Sequence, residues 1–130
     1  ARPLLQSEIA RLRESRYVVV PNWLPDEQTD AVQADAVAVG AKHSLSCGIG
    51  GVDGAHIDTS IRRSRQCTLY PPPSNQAGCV DVRAGLIAAV NKLRSELQGS
   101  SLLALPQLEP FETELNYLLY PVGGHYKRHA

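Results

Sequence analysis

The spacing of apolar and polar residues predicts three helices. Apolar residues recur every three or four positions over 3–15, with charged residues between them, which is typical of an amphipathic helix. A second helix is predicted to begin at the Pro-Asp-Glu sequence of 25–27, because proline and acidic residues favour a first helical turn, and to continue to about residue 40. The clearest helical repeat covers 79–98, and Gly99 is a suitable terminator.

Shorter segments predict strands. Residues 17–20 and 66–70 are rich in residues that favour strands, and 111–120 alternate strictly. A further extended segment is predicted from His125, and the four glycines within 43–60 predict a loop. Because the helices come early and the strands late, the pattern predicts an α+β fold, with helices packed on one side of a largely antiparallel sheet.

The strand predicted over 111–120 has one face that is more polar than a core strand needs. This face carries Glu112, Glu114, Asn116, Leu118 and Tyr120. The opposite face carries Phe111, Thr113, Leu115, Tyr117 and Leu119. An aqueous cavity inside a barrel, lined by polar groups, would explain the first face.

Composition and charge narrow the range of partners. The 130 residues suit one domain with an adequate core, since 43% are hydrophobic and 20% charged. The 13 Lys and Arg balance 13 Asp and Glu, so we expect no nucleic-acid partner and no membrane partner. No apolar run approaches the roughly 20 residues that span a bilayer.

Three cysteines, at 47, 67 and 79, argue against a disulfide framework because their number is odd. None forms a CxxC pair, which makes a zinc or thioredoxin-like site a weak hypothesis. Buried or chemically idle thiols are the better interpretation.

The chemistry concentrates in the segment from 120 to 129, which reads Y-P-V-G-G-H-Y-K-R-H. It fits the template Tyr-x-x-Gly-x-x-Tyr-x-x-His through Tyr120, Gly123, Tyr126 and His129. The paired glycines allow a tight reversal of the chain, and two phenols and two imidazoles stand within ten residues.

This segment resembles the motif of prolyl 4-hydroxylases in the Fe(II)/2-oxoglutarate dioxygenase superfamily, in which Tyr-x-x-Gly-x-x-Tyr-x-x-His-x-Asp opens the metal site. The preceding E-L-N-Y-L-L of 114–119 resembles the apolar strand that leads into that motif. Residues 17–28 resemble the opening strand and helix start of the family, and Arg62-Arg63-Ser64 resembles an Arg-x-Ser segment ahead of the central helix.

The resemblance implies a double-stranded β-helix, or jelly roll, with supporting helices. It implies hydroxylation of a peptidyl proline with Fe(II), 2-oxoglutarate as co-substrate and ascorbate as a further cofactor. His129 would be a metal ligand, and Tyr120 would contact 2-oxoglutarate. Tyr126, Arg62 and Ser64 would contact a proline-containing peptide or protein substrate. Ordinary aromatic packing is the alternative for both tyrosines, and a solvated loop is the alternative for the arginines.

The match stops inside the motif. The carboxylate that would follow two residues after His129, the second histidine and the basic residue for 2-oxoglutarate are not among the 130 residues. We therefore expect 1–130 to be the N-terminal part of a single oxygenase domain, with its helical layer and first core strands. Such a part would need the C-terminal segment as a partner and would be inactive alone.

Two alternatives stay open. His56 and Asp58 form a second His-x-Asp pair, which could join His125 or His129 in a two-histidine, one-carboxylate metal site. Against this, the pair lies in the glycine-rich segment with no strand pattern. At the level of function, the same fold could serve as a non-catalytic or split protein-interaction module, or as a scaffold with no site.

Overall fold

The computed structural model describes residues 1–43, 45–46, 57–69, 77–104 and 114–128, which form helices and two small antiparallel sheets. The chain divides into two compact units. The first comprises Ala1–Gln33 with Cys79–Glu112, and the second comprises Ala34–Gly78 with Thr113–Ala130.

The three predicted helices are confirmed. Helix α1 covers Gln6–Ser15, α2 covers Asp26–His43, and α3 covers Val80–Gly99. The start of α2 with Asp26 and Glu27 in its first turn matches the predicted dipole arrangement. Within the described residues, none of these helices is long and apolar enough to cross a membrane.

The start of α1 is held by one carboxylate. Glu8 accepts a hydrogen bond from the backbone N–H of Leu5 at 2.8 Å, which satisfies a donor at the helix N-terminus. The two terminal nitrogens of Arg2 donate to the same carboxylate at 2.8 and 2.9 Å. Arg2 also donates to the carbonyl oxygen of Pro21, so this pair joins the segments before and after α1.

Because of the Arg2–Glu8 pair, we expect the stability of the protein to depend on pH in the acidic range. The hydrogen bonds from Arg2, with that from Leu5, lower the pKa of Glu8 from 4.5 to about 2. Because the pKa is lower in the folded state, the stabilisation is complete above about pH 4.5 and disappears as the pH falls towards 2. Urea unfolding across this range should show that Glu8→Gln flattens the dependence. Glu14→Gln, at an exposed carboxyl of the same helix, should leave it unchanged.

The sheets belong to the second unit. Strands β1 (Leu45–Ser46), β3 (Arg65–Thr68) and β4 (Asn116–Leu119) form one sheet in the order β1-β3-β4. Strands β2 (Arg62–Arg63) and β5 (His125–Tyr126) form the other. All pairs are antiparallel, including β3 with β4, although helix α3 lies between these two strands in the sequence.

The predicted alternation along 111–120 is confirmed where the structure describes it. Tyr117 is 7% exposed and belongs to the core of the second unit, in which Val39, Cys67 and Leu69 are also buried, whereas Leu118 is 49% exposed. The hydroxyl of Tyr117 donates to Oδ2 of Asp35 at 2.8 Å, and both residues are buried. The regular strand is shorter than predicted, since Glu114 and Leu115 precede it and 111–113 lie outside the described residues.

The strand predicted over 17–20 was wrong. These residues have no regular structure, and Tyr17 and Val19 are exposed. Their β-branched composition favours a strand only where a neighbour supplies hydrogen bonds, and the described part of the first unit contains only helices as regular elements.

Other strand boundaries also shift. The strand expected over 66–70 begins one residue earlier and ends at Thr68, although the N–H of Leu69 still donates to the carbonyl of Leu115 at 2.7 Å. The predicted loop over 43–60 contains strand β1, which pairs with β3, and residues 47–56 lie outside the described part. The described strands form one three-stranded and one two-stranded sheet. The jelly roll that the resemblance implies stays a prediction.

Candidate functional site

The pairing of β2 with β5 brings two of the predicted substrate residues into contact. Arg62 lies opposite Tyr126 in the register of the two strands. The guanidinium carbon of Arg62 stands 4.5 Å from the centre of the Tyr126 ring, within the range of a cation–π interaction. Tyr126 is 37% exposed, so part of the ring is accessible to a ligand.

Ser64 completes the group. It is only 5% exposed, and its hydroxyl oxygen accepts a hydrogen bond from Nε of Arg62 at 3.1 Å. This bond and the aromatic contact constrain the guanidinium from two directions. The three residues that the Arg-x-Ser resemblance and the tyrosine motif nominate separately therefore form one contiguous cluster.

The glycine pair shapes the turn before β5. Gly123 has a φ of +75°, a conformation that residues with a side chain rarely adopt. The N–H of Gly124 donates to the carbonyl of Pro121 at 2.6 Å, which closes the turn. A side chain at Gly124 would lie against the backbone carbonyls of Pro121 and Arg63, so glycine is needed here for close packing of two chain segments.

Tyr120, the predicted contact for 2-oxoglutarate, lies just before this turn and is 47% exposed. It is not among the described residues that line either of two cavities next to Arg62. His129 lies outside the described residues, so its predicted role as a ligand stays a prediction.

Two cavities adjoin the cluster within the second unit. The first has a volume of about 270 Å³ and contains Arg62 and Ser64 in its wall; the other described lining residues are Ile57, Thr59, Arg63, Arg65 and Pro121. The second has a volume of about 340 Å³, and its described lining comprises Arg62, Gln66, Glu114, Asn116 and Leu118. Arg62 belongs to both.

The second cavity lies along the face of β4 that the alternation marks as polar. Its described lining includes Glu114, Asn116 and Leu118 from that face. The side-chain amide of Asn116 donates to Glu114 at 2.9 Å, while Oδ1 of Asn116 is buried and has no hydrogen-bond partner within the described residues. Such an acceptor is costly unless a donor reaches it, and a bound molecule can supply one.

Asn116 is a residue that the sequence did not nominate. Its position on the polar face was visible, but nothing in the sequence indicated that one oxygen would be enclosed without a donor. That property depends on how β4 packs, which no local pattern encodes.

The alternative metal set lies only partly within the described residues, which include Asp58 and His125 but neither His56 nor His129. The two ring nitrogens of His125 lie 3.2 Å from the carbonyl oxygen of Gly123 and 3.3 Å from that of Ser60. Oδ1 of Asp58 accepts hydrogen bonds from the N–H and hydroxyl of Ser60. No group of three His, Cys, Asp or Glu side chains in the described part could hold a metal ion, and His56 lies outside it.

The two cysteines in the described part, Cys67 and Cys79, are not joined to each other by a disulfide. Cys67 is buried beside β4, and this burial raises the pKa of its thiol. Cys79 is exposed at the start of α3, and Cys47 lies outside the described residues.

Comparison with models of protein families, with curated proteins and with solved structures found no match. The assignment to a family therefore stays a prediction from the motif.

Proposed function

We propose that the intact protein is an Fe(II)- and 2-oxoglutarate-dependent dioxygenase that hydroxylates a prolyl residue of a peptide. The observation that carries this proposal is the contact among Arg62, Ser64 and Tyr126. The motif nominated these residues as substrate contacts from two distant parts of the sequence, and the β2–β5 pairing makes them neighbours.

The chemistry of this cluster suits a proline-containing peptide. Aromatic rings form the docking surfaces of many proline-rich segments, and Tyr126 keeps part of its ring accessible. Arg62 is oriented by Ser64 and Tyr126, so its guanidinium can donate to a peptide carbonyl with little further loss of conformational freedom. The cavity beside these groups gives the substrate side chains a place to enter.

Iron with 2-oxoglutarate and dioxygen would supply the oxidation. The described residues do not by themselves form a metal site. In this proposal His129 is one ligand, and the remaining ligands lie in a continuation of the chain beyond Ala130, as the resemblance implies.

The full-length protein should convert 2-oxoglutarate to succinate in the presence of Fe(II), dioxygen and a proline-rich peptide. Mass spectrometry should show that the peptide has gained one oxygen atom. His129→Ala should abolish both products. Arg62→Ala and Tyr126→Ala should raise KM by about tenfold, through loss of the aromatic contact and of hydrogen bonds to the peptide.

Two variants serve as controls. Tyr17→Phe, at an exposed tyrosine of the first unit, should leave turnover unchanged. His56→Ala should retain bound iron. Turnover that survives His129→Ala would refute the proposal, and loss of iron only in His56→Ala would transfer the metal site to the alternative pair. Peptide binding without any oxidation would favour an interaction module.

A further inference from the structure

The neutral net charge of the chain conceals an uneven distribution between the two units. The second unit carries six Lys and Arg against four Asp and Glu, whereas the first carries seven against nine. The unit that contains the candidate site is therefore net positive. The absence of a global field, inferred from the whole sequence, does not apply to this unit.

Most of the positive charge of the second unit lies on or next to strands β2 and β5. We call this set the basic ribbon, and it comprises Arg62, Arg63, Arg65, Lys127 and Arg128. Three of its members, Arg62, Arg63 and Arg65, line the cavity of about 270 Å³ that also contains Ser64. Lys127 continues β5, since its N–H donates to the carbonyl of Ile61 at 2.8 Å, and Arg128 follows it on the surface.

Two acidic residues accompany the basic ribbon in the described segments 57–69 and 114–128. Asp58 accepts both hydrogen bonds from Ser60, and Glu114 accepts the amide of Asn116 in the second cavity. Neither carboxyl group is among the described lining of the first cavity. The described lining of the first cavity includes three arginines and no Asp or Glu, so an anionic group that enters this cavity meets guanidinium groups.

We propose that the basic ribbon selects peptide substrates that carry Asp or Glu beside the proline. This proposal rests on the proposed function, because it assigns the residues around the proline that the Arg62–Ser64–Tyr126 cluster would accept. A guanidinium matches a carboxylate through two parallel hydrogen bonds, which gives direction as well as attraction. A cavity of about 270 Å³ lies near the lower end of ligand cavities and suits side chains of a short peptide.

The local charge favours a peptide over a nucleic acid. A polynucleotide is bound by cations that neutralise many successive phosphates. The second unit as a whole has an excess of only two positive charges, concentrated at one ribbon. This arrangement is sufficient for one or two carboxylates near a docked proline.

The test measures binding without turnover. Fluorescence anisotropy of the full-length protein is recorded with three labelled peptides of equal length around one proline, flanked by Asp and Glu, by Asn and Gln, or by Lys. The acidic peptide should bind about tenfold more tightly than its amide counterpart at low salt, and the difference should shrink as salt is added. Arg63→Gln and Arg65→Gln should each lower the affinity for the acidic peptide by about threefold and leave the affinity for the amide peptide unchanged.

Matched variants show whether the effect is local. Arg13→Gln removes an exposed cation from α1 of the first unit and should not alter the preference. Arg63→Lys retains the positive charge and should keep most of the preference for the acidic peptide. Equal binding of the acidic and amide peptides would overturn the proposal. So would an equal loss in Arg13→Gln, or displacement of the acidic peptide by a single-stranded oligonucleotide at lower concentration than by unlabelled peptide.

The experiments distinguish failure of the basic-ribbon proposal from failure of the oxygenase proposal. An acidic preference without succinate formation would refute the oxygenase and retain the basic ribbon as an acidic-peptide site. Hydroxylation with equal kcat/KM for the acidic and amide peptides would retain the oxygenase and refute the role of the basic ribbon.

Discussion

Replacement of Gly124 by alanine is expected to lower the free energy of unfolding by about 2–3 kcal/mol and to weaken the proposed binding of a peptide at the Arg62–Tyr126 cluster. An added Cβ would stand 2.7 Å from both Cδ and the carbonyl oxygen of Pro121, and 2.9 Å from the carbonyl oxygen of Arg63. Two of these three atoms are backbone, so they cannot turn away as a flexible side chain can. Relief of the overlap must open the turn or separate β2 from β5.

Two other glycines, Gly123 and Gly99, provide graded controls for Gly124→Ala. At Gly123 the obstacle is the positive φ of +75°, which costs an alanine about 1–2 kcal/mol, and its nearest contact is an ordinary 3.7 Å from Nη1 of Arg63. At Gly99, the last residue of α3, nothing lies within 4 Å, so alanine should be neutral or stabilising by up to about 1 kcal/mol. Urea unfolding should rank the losses in the order Gly124, Gly123, Gly99. An unfolding midpoint of Gly124→Ala equal to that of the parent would show that the turn is not tightly packed.

Loss of the buried hydrogen bond between Tyr117 and Asp35 is the second large effect expected. Tyr117→Phe removes the hydroxyl that donates to Oδ2 of Asp35 at 2.8 Å, where both residues are less than a tenth exposed. Water cannot readily replace that donor, so the expected cost is about 1–3 kcal/mol. Asp35→Ala should cost more, because it also removes the volume that the carboxyl group fills.

Conservative variants separate the hydrogen bond from the packing. Asp35→Asn retains a carbonyl oxygen and similar volume, so it should cost less than Asp35→Ala. Tyr17→Phe removes a hydroxyl from a tyrosine that is 69% exposed, and its free energy of unfolding should match that of the parent. If Tyr117→Phe were as stable as Tyr17→Phe, the hydrogen bond would contribute nothing measurable to the second unit.

The candidate site shows where local patterns suffice and where they do not. The tyrosine motif nominated Tyr126, and the Arg-x-Ser segment nominated Arg62 and Ser64, each from a short stretch of chain. That these residues touch depends on the antiparallel register of β2 and β5, which pairs segments far apart in the sequence. The sequence did not indicate Asn116, because the enclosure of its side-chain oxygen arises from packing. The role of His129 as a metal ligand stays a prediction.

The sequence by itself determined the features that depend on neighbours along the chain. The three helices follow from a repeat of 3.6 residues and from proline and acidic residues near a helix start, and the alternation on β4 follows from a repeat of two. The tight turn before β5 follows from a glycine pair that no other residue type would replace without strain.

Only the tertiary structure decided the features that depend on partners distant in sequence. A strand is stable when another strand completes its hydrogen bonds, so residues 17–20 stay irregular despite their composition, while Leu45–Ser46 becomes a strand against β3. The same long-range pairing places Arg62 on Tyr126, and the packing of the second unit encloses Asp35 with Tyr117. It also gathers cations from two segments into the basic ribbon, because charge that is balanced along a sequence need not be balanced in space.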